Sequence, residues 1–262
     1  MNAKPIGIFD SGVGGTSIWK EIHALLPYEN TIYLADSKNA PYGQKTREEI
    51  IALSIKNTEL LLARGCKLIV VACNTATTNA ISLLREKYEI PFIGIEPAIK
   101  PAALYSGTGT VGVLATKGTL SSSLFLKTSK NHAGEITIVE KEGIGLVPLI
   151  EAGKINSIET KQLLIRYIEP MLDANMDHIV LGCTHYPYLI PVLRELLPPH
   201  VNIIDCGAAV AKQTLAVLNK ENLQNPNKTP GKIQFYTNKD IKILTSFLED
   251  INELKQIEYL NF

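Results

Sequence analysis

Short apolar runs that stop at polar or turn-forming residues alternate along this 262-residue chain with longer stretches of helical periodicity. Residues 6–9 are the first run, closing on Asp10 and the turn-rich DSGVGGTS. Ile18, Ile22, Leu25 and Leu26 then recur at the spacing of one helix face. Thr31–Ala35 predicts a second strand, and residues 36–43 (DSKNAPYG) a loop punctuated by proline and glycine. Thr46 and Glu49 make a T-x-x-E capping box, which opens a helix reaching Arg64 with Gly65 as its C-terminal cap. A strand over 67–72, a helix to about Tyr88 and a strand over 92–95 follow. Strands and helices in this alternation imply right-handed βαβ crossovers and a parallel sheet.

Residues 96–101, with Pro97 and Pro101, break the rhythm and mark a first domain boundary. The pattern then restarts with a strand over 110–114, a polar turn over 115–123 and a strand over 136–139. A helix over 157–172, a strand over 178–181, a helix over 191–197 and a strand over 201–204 come next. Beyond Asp205 the periodicity predicts a helix over 208–218, a polar loop over 221–231 and a strand over 233–236. A helix over 238–251 capped by Asn238 and a last strand over 257–260 end the chain. That tail is too small for a domain and is expected to complete the first sheet. The fold class is therefore α/β, with two similar domains of mainly parallel sheets flanked by helices, related by a pseudo-two-fold, and a site in the crevice between them. The expected division is 1–97 plus 208–262 as a split N-terminal domain and 98–207 as an inserted one.

Two stretches match across that division. Residues 68–79 (LIVVACNTATTN) and 178–188 (HIVLGCTHYPY) each run an apolar strand into a cysteine with threonine close behind. Residues 7–16 (GIFDSGVGGT) and 112–121 (GVLATKGTLS) each lead a strand into a turn of glycine and hydroxyl residues. The shared spacing points to duplication of one α/β unit.

Composition narrows the function. Lysine plus arginine and aspartate plus glutamate number 26 each, with no basic stripe, which disfavours nucleic acid or an anionic membrane as a partner. No apolar stretch approaches the roughly 20 residues of a membrane span. Cys66, Cys73, Cys183 and Cys206 lack CxxC spacing, so reduced thiols in a cytoplasm are expected.

In open α/β sheets the site lies at the carboxyl ends of strands. Here that edge carries Asp10-Ser11, Asp36, Cys73-Asn74-Thr75, Glu96, Ala115-Thr116, Cys183-Thr184-His185 and Asp205. The glycine turn at 12–15 completes neither a dinucleotide fingerprint nor a P-loop, and a close approach of its backbone to a small carboxylate is the better expectation. Cys66 reads as a small buried hydrophobe and Cys206 as filler or support. Cys73 and Cys183 precede predicted helices, where a thiol pKa is lowered and the thiolate favoured. Neither belongs to a clustered zinc pattern, so no metal is expected. Asp10 and His185 admit structural readings as a turn cap and a core histidine, but both stand beside the cysteines at the crevice.

The motifs IGIFDSGVGG (6–15), APYG (40–43), ACNTAT (72–77), GVLATKGT (112–119) and LGCTHYP (181–187), with IGIEPA and IIDCGAA in order, closely resemble the glutamate racemases of the aspartate/glutamate racemase superfamily. The resemblance spans nearly the whole chain. It implies a racemase that uses two bases and no cofactor, with glutamate as its small-molecule substrate and D-glutamate supplied for peptidoglycan. Cys73 and Cys183 would flank the substrate Cα, one taking a proton as thiolate while the other donates as thiol. Asp10 would assist Cys73, His185 would assist Cys183, and Glu151, in PLIEAG, would lie near the second thiol; read without the family, Glu151 is a solvated helix residue. Asp10-Ser11, Tyr42-Gly43, Asn74-Thr75 and Thr184-His185 would hold the substrate, with Thr116 and Thr119 as further candidates. Thr16-Ser17, Phe125 and Cys206 depart from the usual pattern. Aspartate racemase and an amino-acid-binding module without activity are the other readings, and a symmetric dimer is the expected assembly.

Overall fold

Parallel strands covered on both faces must be apolar throughout. In the computed structural model, which describes residues 2–132 and 136–262, this holds for β1 (Ile6–Asp10), β2 (Thr31–Ala35) and β3 (Leu68–Val71), buried along their whole lengths. Between them run α1 (Thr16–Leu25) and α2 (Arg47–Ala63), and after β3 come α3 (Asn74–Lys87) and β4 (Phe92–Gly94). The capping box that opens α2 is formed in both directions, Glu49 N–H to Thr46 and Thr46 N–H to Glu49. Gly65 follows α2 at φ +76°, the left-handed conformation that ends helices on glycine.

The second half contains α4 (Ile99–Tyr105), β5 (Thr110–Ala115), α5 (Lys117–Leu120), α6 (Ser123–His132) and β6 (Thr137–Glu142). It continues with α7 (Leu146–Glu151), α8 (Ile158–Asp173), β7 (His178–Gly182), α9 (Ile190–Leu196) and β8 (Asn202–Ile204). The chain ends with α10 (Gly207–Lys220), β9 (Ile233–Thr237), α11 (Ile241–Ser246) and β10 (Lys255–Tyr259). Among the described residues the strands form two sheets, ordered β10-β9-β2-β1-β3-β4 and β6-β5-β7-β8, with every pairing parallel. The stretch β2-β1-β3-β4 repeats the order of the second sheet, so both halves use one connection scheme. The tail strands β9 and β10 extend the first sheet, as expected. Trp19 of α1 fixes them there: it stands edge-on to Phe235 of β9 at 4.7 Å and donates its indole N–H to Thr31. Among the described residues no helix is long and apolar enough to cross a membrane.

Several elements differ from the sequence expectation. Residues 96–101 are not only a break, because α4 starts at Ile99 with Pro101 in its first turn, where a missing N–H costs nothing. The serines of 121–123 are not all turn: α6 starts at Ser123, and Phe125, fully buried, packs it onto β5. Phe125 thus lies in an apolar core. Asn238 does not cap a helix over 238–251. Asp240 caps the shorter α11, and Asn238 instead donates to Asp36 and to the Phe262 carbonyl.

At the amino end of the first sheet, Lys67 and Glu29 form a buried ion pair at 2.5 Å. Lys67 also donates to the Asn2 carbonyl, and Glu29 accepts the Asn225 N–H, so the pair joins three distant parts of the chain. Removing one partner strands the other charge in a dry site, and such losses run at about 3–5 kcal/mol. Lys67→Met is therefore expected to cost about that much in urea unfolding, whereas a loss under about 1 kcal/mol would show that Glu29 finds another partner or a proton.

Candidate active site

β1 has β2 on one side and β3 on the other, and β5 is placed likewise between β6 and β7. Connections leaving such a pair diverge to opposite faces and open a crevice at the strands' carboxyl ends. Gly7 pairs with Ile69 and Gly112 with Ile179. Carried four residues on, this register brings Ser11 level with Cys73 and Thr116 level with Cys183. Each sheet thus presents a thiol and a hydroxyl at its switch point. The two edges face one another.

Cys73 and Cys183 line a single internal cavity of about 10 Å³, room for about one water molecule. Cys73 is the N-cap of α3 and accepts the Ala76 N–H at 3.4 Å, and its Sγ is 3.7 Å from the Ser11 hydroxyl. Asn74 also lines the cavity, and although it is only 2% exposed, neither atom of its amide has a hydrogen-bond partner. Buried amides without partners are rare and costly. An amide left so at the wall of a cavity is prepared for a polar ligand.

Hydroxyls close the opposite side. Thr75 Oγ1 lies 2.8 Å from Thr116 Oγ1 and 3.3 Å from Thr119 Oγ1, which are 3.1 Å from each other, so α3 and the start of α5 meet through a triangle of hydroxyls. Thr75 and Thr116 reach the cavity; Thr119 lies behind them. Tyr42 and Gly43 form part of the wall, but the Tyr42 hydroxyl is committed to Asp36 at 2.5 Å and accepts from Asn57. The backbone of Tyr42-Gly43 is left as the group that faces a ligand. Pro41 of the APYG motif and Val147, which sequence reasoning did not single out, complete the lining. Glu96 and Asp205, on the outer strands' ends, are exposed and stand outside it.

Behind the thiols is a network of buried charge. Asp10, fully buried, accepts the Gly12 and Gly15 N–H groups on one oxygen and the Thr184 hydroxyl on the other. His185 Nδ1 is 3.8 Å from Cys183 Sγ, and its Nε2 is 2.7 Å from Glu151 Oε1. The same Glu151 oxygen accepts the Val13 N–H at 2.7 Å. Glu151 is thus a buried partner of His185 and not a solvated helix residue. The glycine turn does approach carboxylates, but they are the protein's own, and its form is required by them. A Cβ on Gly12 would come within 1.9 Å of Glu151 Oε1, and one on Gly14 within 2.2 Å of His185 Nδ1.

Burial dominates the ionisation of Cys73. Loss of water, then the Asp10 carboxylate, push this thiol well above its ordinary value, and the Ala76 N–H at the helix start opposes them without prevailing. The lowered thiol pKa expected from a helix N-terminus is therefore absent at Cys73. For Cys183 the premise itself differs, since a 3₁₀ turn (Tyr186–Leu189) separates it from α9. Asp10 is also raised by burial, although His185 and the Gly15 N–H pull the other way. Burial opposes charge on His185, but its bonds to Cys183 and Glu151 outweigh that and raise its pKa well above 6.5. Burial likewise opposes charge on Glu151, and the bonds from His185 and Val13 more than compensate, leaving it below 4.5. Cys66 and Cys206 are buried thiols raised to about 12, inert as the sequence reading has Cys66. Among the described residues no three histidine, cysteine, aspartate or glutamate side chains gather as metal ligands would.

Residues 6–214 match the family model described as Asp/Glu/Hydantoin racemase. A glutamate racemase of Herpetosiphon aurantiacus is 48% identical over 92% of this chain and 94% of its own length. The fold is also that of the Escherichia coli glutamate racemase solved with L-glutamate and the activator UDP-MurNAc-ala. That structure is 34% identical, with a TM-score of 0.86 over 98% of both chains. The Francisella tularensis glutamate racemase solved with D-glutamate superposes at a TM-score of 0.84, with 28% identity, over 99% of this chain and 98% of that one.

The His185–Glu151 pair gives a pH signature. The raised His185 contributes stability in full below about 6.5 and loses it as pH rises through its folded value. The lowered Glu151 contributes above about 4.5 and loses it as pH falls through its folded value. Glu151→Gln should therefore cost most between those limits, about 3 kcal/mol by urea unfolding near pH 6, with the deficit narrowing as pH is raised through the value of His185. A deficit independent of pH would mean that the pair is not ionised.

Proposed function

The chain belongs to the Asp/Glu/hydantoin racemase family, and we propose that it interconverts L- and D-glutamate, with Cys73 and Cys183 as the two bases and no cofactor in the chemistry. One observation carries this reading: a thiol from each sheet lines the same cavity, with the unpartnered Asn74 amide in its wall. Racemisation needs an acid and a base on opposite faces of one carbon, exchanging roles with direction, and two equivalent strand ends supply them. Relatives named glutamate racemase, one solved with L-glutamate and one with D-glutamate, support the substrate.

In the proposed reaction one cysteine, as thiolate, takes the Cα proton, and the other, as thiol, delivers a proton to the opposite face. Charge then grows on the substrate α-carboxylate. The Asn74 amide, the Thr75 and Thr116 hydroxyls and the Tyr42-Gly43 backbone are donors available to hold the substrate's two carboxylates and that charge, with Thr184 in the wall beside them. Asp10, held by the Gly12 and Gly15 N–H groups and the Thr184 hydroxyl, stands behind Cys73, and its charge favours a substrate ammonium in the cavity. His185, oriented by Glu151, stands ready to exchange a proton or hydrogen bond with Cys183. Burial keeps the proton on Cys73 in the closed state, so the thiolate must form once a cation, the substrate ammonium, stands beside it.

The cavity is narrow as it stands, about 10 Å³, and glutamate would enter as the crevice between the sheets opens. We take the moving bodies to be 1–97 plus 208–262 against 98–207, because the chain passes between the sheets near residues 97 and 207. A mechanism dependent on free thiols suits a reducing compartment such as the cytoplasm. Supply of D-glutamate for peptidoglycan, in a symmetric dimer, is the setting that accords with this reading.

Polarimetry of L- and D-glutamate should show both enantiomers relaxing to the racemate, with the aspartate pair relaxing more slowly. Cys73→Ala and Cys183→Ala should each lower kcat/KM by about 10²–10⁴-fold, the usual worth of a placed acid or base. Wild-type protein that binds glutamate without racemising it, or an alanine variant of full activity, would defeat the proposal.

A further inference from the structure

Thr16 and Ser17, at the start of α1, carry hydroxyls that the reaction described above leaves unused. Thr16 is fully buried; its hydroxyl donates to the Val13 carbonyl at 2.6 Å and lies 2.5 Å from the Tyr188 phenol, which can donate to it. The Ser17 hydroxyl lies 2.8 Å from the Gly14 carbonyl and 2.9 Å from the Thr184 carbonyl. These contacts join residues 172 and 167 positions apart, from the first sheet's β1–α1 turn to the loop after β7. The Thr184 carbonyl belongs to the peptide between Thr184 and His185, and Cys183 is the next residue back. With Asp10 on the Thr184 hydroxyl, Glu151 on His185 and the Tyr186 hydroxyl on the Gly143 carbonyl, the Cys183 loop is held by several side-chain hydrogen bonds, two of which depend on these hydroxyls.

Resting on the racemase reading, we propose that Thr16 and Ser17 are positioning residues for proton transfer at Cys183, fixing residues 183–188 in register with the β1–α1 turn. Proton transfer falls steeply with misplacement, so a shift of the Cys183 loop alone would slow the step on one face of Cα and spare the step on the other. Apolar side chains at these positions could form neither hydrogen bond. Here polar tethers do what apolar packing would otherwise have to do.

Ser17→Ala, Thr16→Val and the hydroxyl-preserving Ser17→Thr test this. Because the two enantiomers are equal in free energy, kcat/KM must fall by the same factor in both directions, about 3- to 10-fold for the loss of one such bond. The primary isotope effect with α-deuterated glutamate should rise for one enantiomer only, the one whose proton Cys183 takes, and Ser17→Thr should restore the wild-type value. Amide exchange of residues 183–188 in substrate-free protein should quicken by about 5- to 10-fold in Ser17→Ala, with β9 unchanged. Isotope effects that rise equally for both enantiomers, or unchanged exchange at 183–188, would overturn the proposal. Wild-type protein that racemises neither enantiomer would instead defeat the racemase reading, and the exchange measurement would still decide whether the tether exists.

Discussion

The site depends on the contact between the glycine turn after β1 and the loop after β7. Asp10 and Glu151 accept backbone N–H groups of residues 12–15 and His185 packs against Gly14; Asp10 and His185 are buried and the Glu151 side chain nearly so. A buried carboxylate needs donors, and a turn of glycines brings several within reach because no Cβ intervenes. The same residues that satisfy these charges hold the carboxyl edges of the two sheets together. Cys73 and Cys183 come to one cavity as a consequence.

Low polarity then sets the acid–base character of the site. In water a thiol at a helix start would give up its proton readily; enclosed beside Asp10, Cys73 keeps it. Cys73 is thereby held as a neutral thiol in the enclosed site. The second thiol has a different neighbour in His185, which pairs with Glu151 of the same half, while Glu151 reaches Val13 in the other. Two chemically identical groups therefore stand in unlike electrostatic surroundings, a carboxylate near one and an imidazole near the other.

Much of this was legible in the chain. Buried parallel strands write themselves as apolar runs, and the matching runs at 68–73 and 178–183 led to the paired thiols. The repeated strand order was implied by the same match. What the pattern hid was short or polar structure. α4 was obscured by prolines tolerated in its first turn, and α6 by serines that read as turn until Phe125 is seen to anchor it. Asn238 looked like a cap because its partner, Asp36, lies 202 residues away in sequence. The charge state of Cys73 is hidden for a related reason: local sequence shows the helix start, whereas the burial that overrides it comes from the fold. Val147 carried no signal of its own beyond lying in the helix that ends at Glu151.

The central claim is that two residues, not one, handle the proton. It is tested most directly by running the reaction from each enantiomer in deuterated water and analysing both glutamates at early times by mass spectrometry after chiral separation. Two bases on opposite faces predict that the product carries deuterium at Cα from the first turnovers while the remaining substrate carries none. Product that retains the substrate's own proton, or substrate that exchanges as fast as product forms, would mean that one group serves both faces and would contradict the account.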